Sequence, residues 1–118
     1  MNRSKAGRQG EERAARVLEK AGLEIIARNV RSPYGEIDLI AREGETVVFV
    51  EVKSWTFFGM EDLRNSVGKK KQFRIIETAK DFLAKHAEFD GFSIRFDVVF
   101  IGGSQKVAHI PSAFVEET

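Results

Sequence analysis

At 118 residues with 42% hydrophobic content, the chain can bury the core of one domain and is too short for two. It has no cysteine, which excludes disulfides and zinc–thiolate sites and is compatible with a reducing cytoplasm. With 19 Lys and Arg against 18 Asp and Glu the net charge is +1, so any affinity for nucleic acid must come from where charges sit rather than from their sum.

The opening stretch MNRSKAGRQGEERAARVLEK has no apolar segment of signal-peptide character, and the apolar runs elsewhere are too short to span a bilayer, so no membrane partner is expected. A helix is expected from Ser4 or Lys5 to Ala21, stopped by Gly22. Ala14, Leu18 and Ala21 recur at helical spacing beside Val17 and form a stripe that docks on a sheet. One turn earlier the stripe reaches Glu11, whereas Glu12 falls with Arg16 and Glu19. Glu11 is therefore the acid that points inward, either as a rim charge near the helix start or as part of a site.

Leu23 to Val30 reads as a strand, and Arg28 and Arg31 lead into the turn Ser32-Pro33-Tyr34-Gly35. The segment GEIDLIAREGETVVFVEVK, from Gly35 to Lys53, reads as a hairpin around Gly44-Glu45, with glycine first as a type II′ turn requires. That loop sets Ala41 against Val48, Leu39 against Val50 and Ile37 against Val52 on one apolar face. On the other face Asp38 opposes Glu51 and Glu36 opposes Lys53. Opposed like charges cost roughly 0.2–1 kcal/mol, and more where solvent is excluded. A positive partner is expected there, and Lys53 or a hard divalent cation would serve.

Ser54 to Met60 forms a loop with Trp55, Phe57 and Phe58. Phe57 and Phe58 are expected to cap the core, and Trp55 is the better candidate for stacking on an unpaired base. A second helix is expected from Ser66 or Val67 to Ala87, with Phe73, Ile76, Ala79, Phe82 and Leu83 on its buried side. Lys69, Lys70 and Lys71 crowd its start, where cations oppose the helix dipole unless an anion is near. With Arg74 they form a basic group, as Arg3, Lys5 and Arg8 do near the chain start; each is either solvated surface or a phosphate contact. Strands from Phe92 to Ile101 and from Gln105 to Ile110 complete the chain before Pro111 and an acidic tail. His86 and His109 fall away from the acidic hairpin. The order is helix, three strands, helix, two strands: an α/β sheet with helices packed on it.

The run Asp38-x12-Glu51-x-Lys53 occurs with Gly7 and Gly10-Glu11 near the chain start, Arg28-Asn29-x-Arg31, GEIDLIA, VFVEVK, Lys71-Gln72 and Arg95-Phe96-Asp97-Val98. This string of blocks resembles the YraN family of small bacterial proteins, within the PD-(D/E)xK or restriction-endonuclease-like nucleases. Their catalytic core is similar to that of the archaeal Holliday-junction resolvases. The resemblance implies an αβββαβ core with a mixed sheet, the whole chain being one nuclease-like domain, and metal-dependent hydrolysis of phosphodiesters in DNA, branched DNA included.

It further implies Mg²⁺ or Mn²⁺ held by Asp38, Glu51 and the Val52 carbonyl, with Glu11 on the metal or its water and Lys53 as the catalytic cation. Lys69, Lys70, Lys71, Arg74, Arg31 and Trp55 would contact nucleic acid, and Glu36 and Gln72 would support the acids. A homodimer or a partner protein is compatible with this reading. The rivals are a non-catalytic nucleic-acid-binding or protein-interaction module, and a nuclease subunit that requires a partner.

Overall fold

The hairpin at the centre of the sequence is also the centre of the sheet in the computed structural model, which describes residues 5–54, 67–103 and 106–116, with side chains from Gly7 onward. Its strands are β2 (Gly35–Glu43) and β3 (Thr46–Ser54). Leu39 pairs with Val50, Ala41 with Val48 and Glu43 with Thr46, the register expected from the apolar pattern. Gly44 takes φ +58 and Glu45 is not among the residues with positive φ, as position one of a type II′ turn demands.

Before β2 stand α1 (Lys5–Lys20) and β1 (Glu24–Ser32); after β3 come α2 (Lys69–Ala84), a 3₁₀ turn (Ala87–Phe89), β4 (Ser93–Ile101) and β5 (Val107–Phe114). Among the described residues the strands form one sheet in the order β1-β2-β3-β4-β5. All neighbours are antiparallel except β3 and β4, which run parallel because α2 crosses over between them. This is an α/β fold with a mixed five-stranded sheet flanked by helices, in the order αβββαβ with β5 added at the edge. Among the described residues no helix is long and apolar enough to cross a membrane.

Each face of the sheet is buried by one helix. Ala14, Ala15 and Leu18 of α1 pack on Leu39, Ala41, Val48, Val50 and Val99. The opposite parity, Ile40, Val47, Phe49, Phe96 and Val98, packs under Ile75, Ile76, Ala79 and Phe82 of α2. α1 ends in a Schellman motif, in which Leu23 N donates to Leu18 O, Gly22 N donates to Glu19 O, and Gly22 sits at φ +95.

Several expectations need correction. Phe73 is 58% exposed rather than buried, because the stripe of α2 is centred on Ile75, Thr78, Ala79 and Phe82. Thr78 belongs in that stripe because its hydroxyl shares a 2.8 Å hydrogen bond with Ser32. α2 stops at Ala84, three residues short of the expected end. The edge strand does not stop at Pro111: a bulge between the pairs Phe96–Phe114 and Val98–Ile110, with Ser112 at φ +52, carries it to Phe114, whose ring stacks on Phe96.

The largest correction lies in the hairpin. Its ladder stops at Leu39–Val50, so the expected facing pairs Asp38–Glu51, Ile37–Val52 and Glu36–Lys53 are not formed as ladder pairs. Continued regularly, the alternation would send the Val52 N–H to Ile37; instead it donates to Asp38 Oδ2 at 2.8 Å. Ile37 joins the α2-side cluster while Val52 packs on the α1 side, so the strands part at Asp38. In β1, Asn29 lies between the pairs Arg28–Leu39 and Val30–Ile37, hence opposite Asp38, and takes φ +53. Asn accepts that conformation more readily than a branched residue, and it sits beside the point where β2 and β3 part.

Candidate active site

The splayed end of the hairpin is where α1, α2 and the ends of β3 and β4 converge. Two hollows open there, of about 470 and 370 Å³, each with room for a phosphate group and several waters. Gly10, Glu11 and Arg13 of α1, Lys53 and Ile101 line the larger; Glu36, Glu51, Lys71, Arg74 and Ile75 line the smaller. Asp38 and Val52 line both, so Asp38 stands on the divide.

Glu51 is almost wholly buried, with Lys71 Nζ 3.0 Å from its Oε2. Its carboxyl is pushed up from 4.5 to about 7, first by burial and then by Asp38, whose carboxylate is within hydrogen-bonding reach; Lys71 pulls the other way. At Glu51, burial and the Asp38 charge together outweigh the Lys71 ammonium. A buried carboxyl beside a second carboxylate suits a hard divalent cation, which would offset the negative charge of both.

The side chains present fit such an ion. Asp38 and Glu51 supply hard oxygen donors, and Mg²⁺ characteristically needs one or two protein carboxylates, leaving its other positions to water and phosphate. Among the described residues no three of His, Cys, Asp and Glu gather into a cage of their own. Glu11 lies in the wall of the larger hollow, which Asp38 also lines, and is buried at 7% exposure. Its neighbour Glu12 is on the surface, paired with Arg28 at 2.8 Å and with Arg16 at 3.7 Å. The inward and outward assignment of the two glutamates is thus as the helical stripe indicated.

Other site candidates are distributed unevenly. Lys53 lines the hollow of Glu11 rather than that of Glu51, because the strands part between them. Lys71 and Arg74 enter the smaller hollow from the first two turns of α2; Lys69 and Lys70 are exposed on the same end. Glu36 pairs with Arg31 at 3.0 Å across β1 and β2, so its salt bridge is with the neighbouring strand on the other side from Lys53. Gln72 does not support the acids: its Nε2 donates to the Val67 carbonyl at 2.8 Å and fastens the entry to α2. Trp55, Phe57 and Phe58 lie outside the described residues.

Residues 10–101, which contain every side chain of this convergence except Gly7 and Gln9, match the profile of the uncharacterised protein family UPF0102. The chain belongs to that family, also known as YraN. A UPF0102 protein of Treponema pallidum strain Nichols is 45% identical over 114 residues, covering 92% of this chain and 90% of its own. Another, of Nitrobacter winogradskyi, is 40% identical over 113 residues, covering 96% and 94%. Among solved structures, Hjc of Archaeoglobus fulgidus, a Holliday junction resolvase, is similar with a TM-score of 0.48 and 20% identity, over 91% of this chain and 80% of that one.

The YraN chain also carries a second acidic centre that sequence reasoning undervalued. Asp97 is fully buried and bound by Arg95 through two contacts of 2.9 and 3.0 Å, by His109 Nε2 at 2.8 Å and by the Ser112 N–H at 3.0 Å. Burial would raise its carboxyl, but these donors prevail and hold it below the usual carboxylate range. His109, expected to have no role, is one of them. The alternation Arg95-x-Asp97 was a usable signal, since residues two apart share a strand face.

Proposed function

We propose that this protein is a cytoplasmic Mg²⁺- or Mn²⁺-dependent endonuclease acting on DNA, with the whole chain serving as one nuclease-like domain. The observation that carries the reading is the Asp38–Glu51 pair: two carboxylates, one nearly buried and raised to about 7, at the splayed end of the central hairpin. The buried Glu51 carboxyl is raised despite the Lys71 ammonium 3.0 Å away, whereas the donors around Asp97 hold that carboxyl low, and the pair borders hollows lined by Lys53, Lys71 and Arg74.

The ion would be held by Asp38 and Glu51, with the Val52 carbonyl and Glu11 as further candidate donors, and when bound it supplies charge neutralisation at the phosphate and a more acidic water. The remaining work falls to side chains. Glu11, which lines the larger hollow together with Lys53, orients the attacking water by accepting its hydrogen bond. Lys53 stabilises the negative charge that develops on the phosphate oxygens. Lys71 and Arg74 hold the flanking phosphates from the other hollow, and Asp38, by accepting the Val52 N–H, keeps the strands apart so that both hollows stay open.

Purified protein incubated with linear, nicked, flapped and four-way DNA tests the reading. Mg²⁺- or Mn²⁺-dependent cleavage of one or more substrates is expected, with loss in Lys53→Ala and Asp38→Asn. No cleavage of any substrate, together with a melting temperature indifferent to Mn²⁺, would leave a nucleic-acid-binding module instead.

A further inference from the structure

Lys71 is in an unusual position for a phosphate contact, because its ammonium is 3.0 Å from Glu51 Oε2, the same carboxylate that would hold the ion. It belongs to a first turn of α2 that carries Lys69, Lys70 and Lys71, no acid and no side-chain cap. Helix geometry makes that turn unfavourable for a cation without a nearby anion. Glu51 provides the anion, while half of the Lys71 side chain remains exposed to the smaller hollow that Arg74 also lines. A divalent ion bound to Glu51 would place a second positive charge beside the Lys71 ammonium and weaken the hold of that carboxylate on it. When the ion binds, the ammonium is left beside a second cation and a helix N-terminus, and an incoming phosphate relieves both repulsions.

We propose that Lys71 couples the two halves of the site: uptake of a divalent cation by Asp38 and Glu51 releases its ammonium to a backbone phosphate, so that cation and nucleic acid bind cooperatively. The inference rests on the metallonuclease reading and makes phosphate binding by Lys71 conditional on the cation. By linkage, the same residue must oppose the cation when no nucleic acid is present and favour it when nucleic acid is bound.

The test uses calorimetric titration with Mn²⁺ and Ca²⁺, and fluorescence anisotropy of a labelled four-way DNA junction with and without Ca²⁺, on wild type, Lys71→Met, Lys71→Arg and Lys70→Met. Without DNA, Lys71→Met is expected to bind either cation more tightly than wild type. Without cation, its affinity for the junction should equal that of wild type, because Lys71 is occupied by Glu51. With Ca²⁺, it should bind the junction about fivefold or more weakly than wild type, with a salt slope shallower by about one. Lys71→Arg should restore much of that difference, and Lys70→Met should weaken junction binding equally in both conditions.

Equal losses with and without Ca²⁺ for Lys71→Met, or an unchanged or weakened cation affinity, would overturn the coupling while leaving the metal site intact. Failure of wild type to bind either cation would overturn both the coupling and the metallonuclease reading.

Discussion

Of the carboxylates buried among the described residues, Asp97 and Glu51 are in opposite electrostatic states. Asp97 receives donors from Arg95, His109 and the Ser112 backbone, all from the same pair of strands, and stays ionised. Glu51 has one ammonium, one neighbouring carboxylate and little solvent, and is raised to about 7. Burial acts on both; the number of donors decides the outcome. Asp97 ties β4 to β5, and through Arg95 to Glu43 at the hairpin end, whereas the Asp38–Glu51 pair lines two hollows.

The largest break in this comparison comes from removing the satisfied acid. Asp97→Ala leaves the Arg95 guanidinium, His109 and a backbone N–H without their acceptor, a loss of about 3–5 kcal/mol by analogy with broken buried pairs. Urea denaturation measures it, and a loss under about 1 kcal/mol would show that the network is not what holds the edge strand. His109→Ala removes one donor of several and should cost less.

Glu51→Gln is expected to act in the opposite direction. A carboxyl at 4.5 when unfolded and about 7 when folded is proton-hungry in the native state, so stability falls as pH rises from about 4.5 to 7 and the full penalty persists above that. The penalty is on the order of 3 kcal/mol at most. Glu51→Gln should therefore be more stable than wild type at pH 8 without divalent ions, and should lack this part of the pH slope. Mn²⁺ should reverse the order, since only wild type gains linkage stabilisation, about 2.7 kcal/mol at a hundred times the dissociation constant. Melting curves at pH 5 and 8, with Mn²⁺ or EDTA, separate the two terms; identical pH slopes for the two proteins would remove the like-charge argument.

A smaller effect concerns how the open site is shaped. Asn29→Val should cost about 1–3 kcal/mol, because a β-branched residue at φ +53 is strained, whereas Asn29→Gly should be nearly neutral. If Asn29→Val folds without loss, its strand has straightened. The Val52 N–H, seen by hydrogen–deuterium exchange, would then report whether Asp38 still holds it.

Asn29 also marks where the sequence stops being legible. Alternation of apolar residues from Leu39 to Val50 specified the register, and a glycine at the first turn position specified the loop, because a one-residue slip would expose the whole set. That reasoning assumed a regular ladder and so placed Asp38 opposite Glu51 in a pair that is not formed, because the ladder ends at Leu39–Val50. The two acids still meet, because splaying leaves both on the rim, but Lys53 moves to the other hollow. Likewise Phe73 looked buried by periodicity alone, since a window of apolar residues cannot say which edge of a wide stripe faces water. Asp97 was undervalued because its partners His109 and Ser112 come from a strand that was expected to end at Pro111. Local patterns carried the elements; long-range polar pairing decided which acids are satisfied.

The smallest expected effect separates the adjacent glutamates. Glu12 makes ion pairs with Arg28 and Arg16, but all three side chains are 43% to 71% exposed, so solvent and salt screen the attraction. Glu12→Gln should change stability by less than about 1 kcal/mol and leave any cleavage activity unaltered. Glu11 has the same chemistry one residue earlier, yet lies at 7% exposure in the wall of the hollow that Asp38 and Lys53 share. Glu11→Gln keeps its volume and much of its hydrogen bonding, so the fold should tolerate it, while cleavage should fall because a neutral amide is a poorer acceptor for a reacting water. Parallel measurements of melting and of Mn²⁺-dependent cleavage on the two variants isolate position from charge. Equal losses of cleavage would show that the hollow beside α1 takes no part in the reaction, and would confine the chemistry to the side of Glu51 and Lys71.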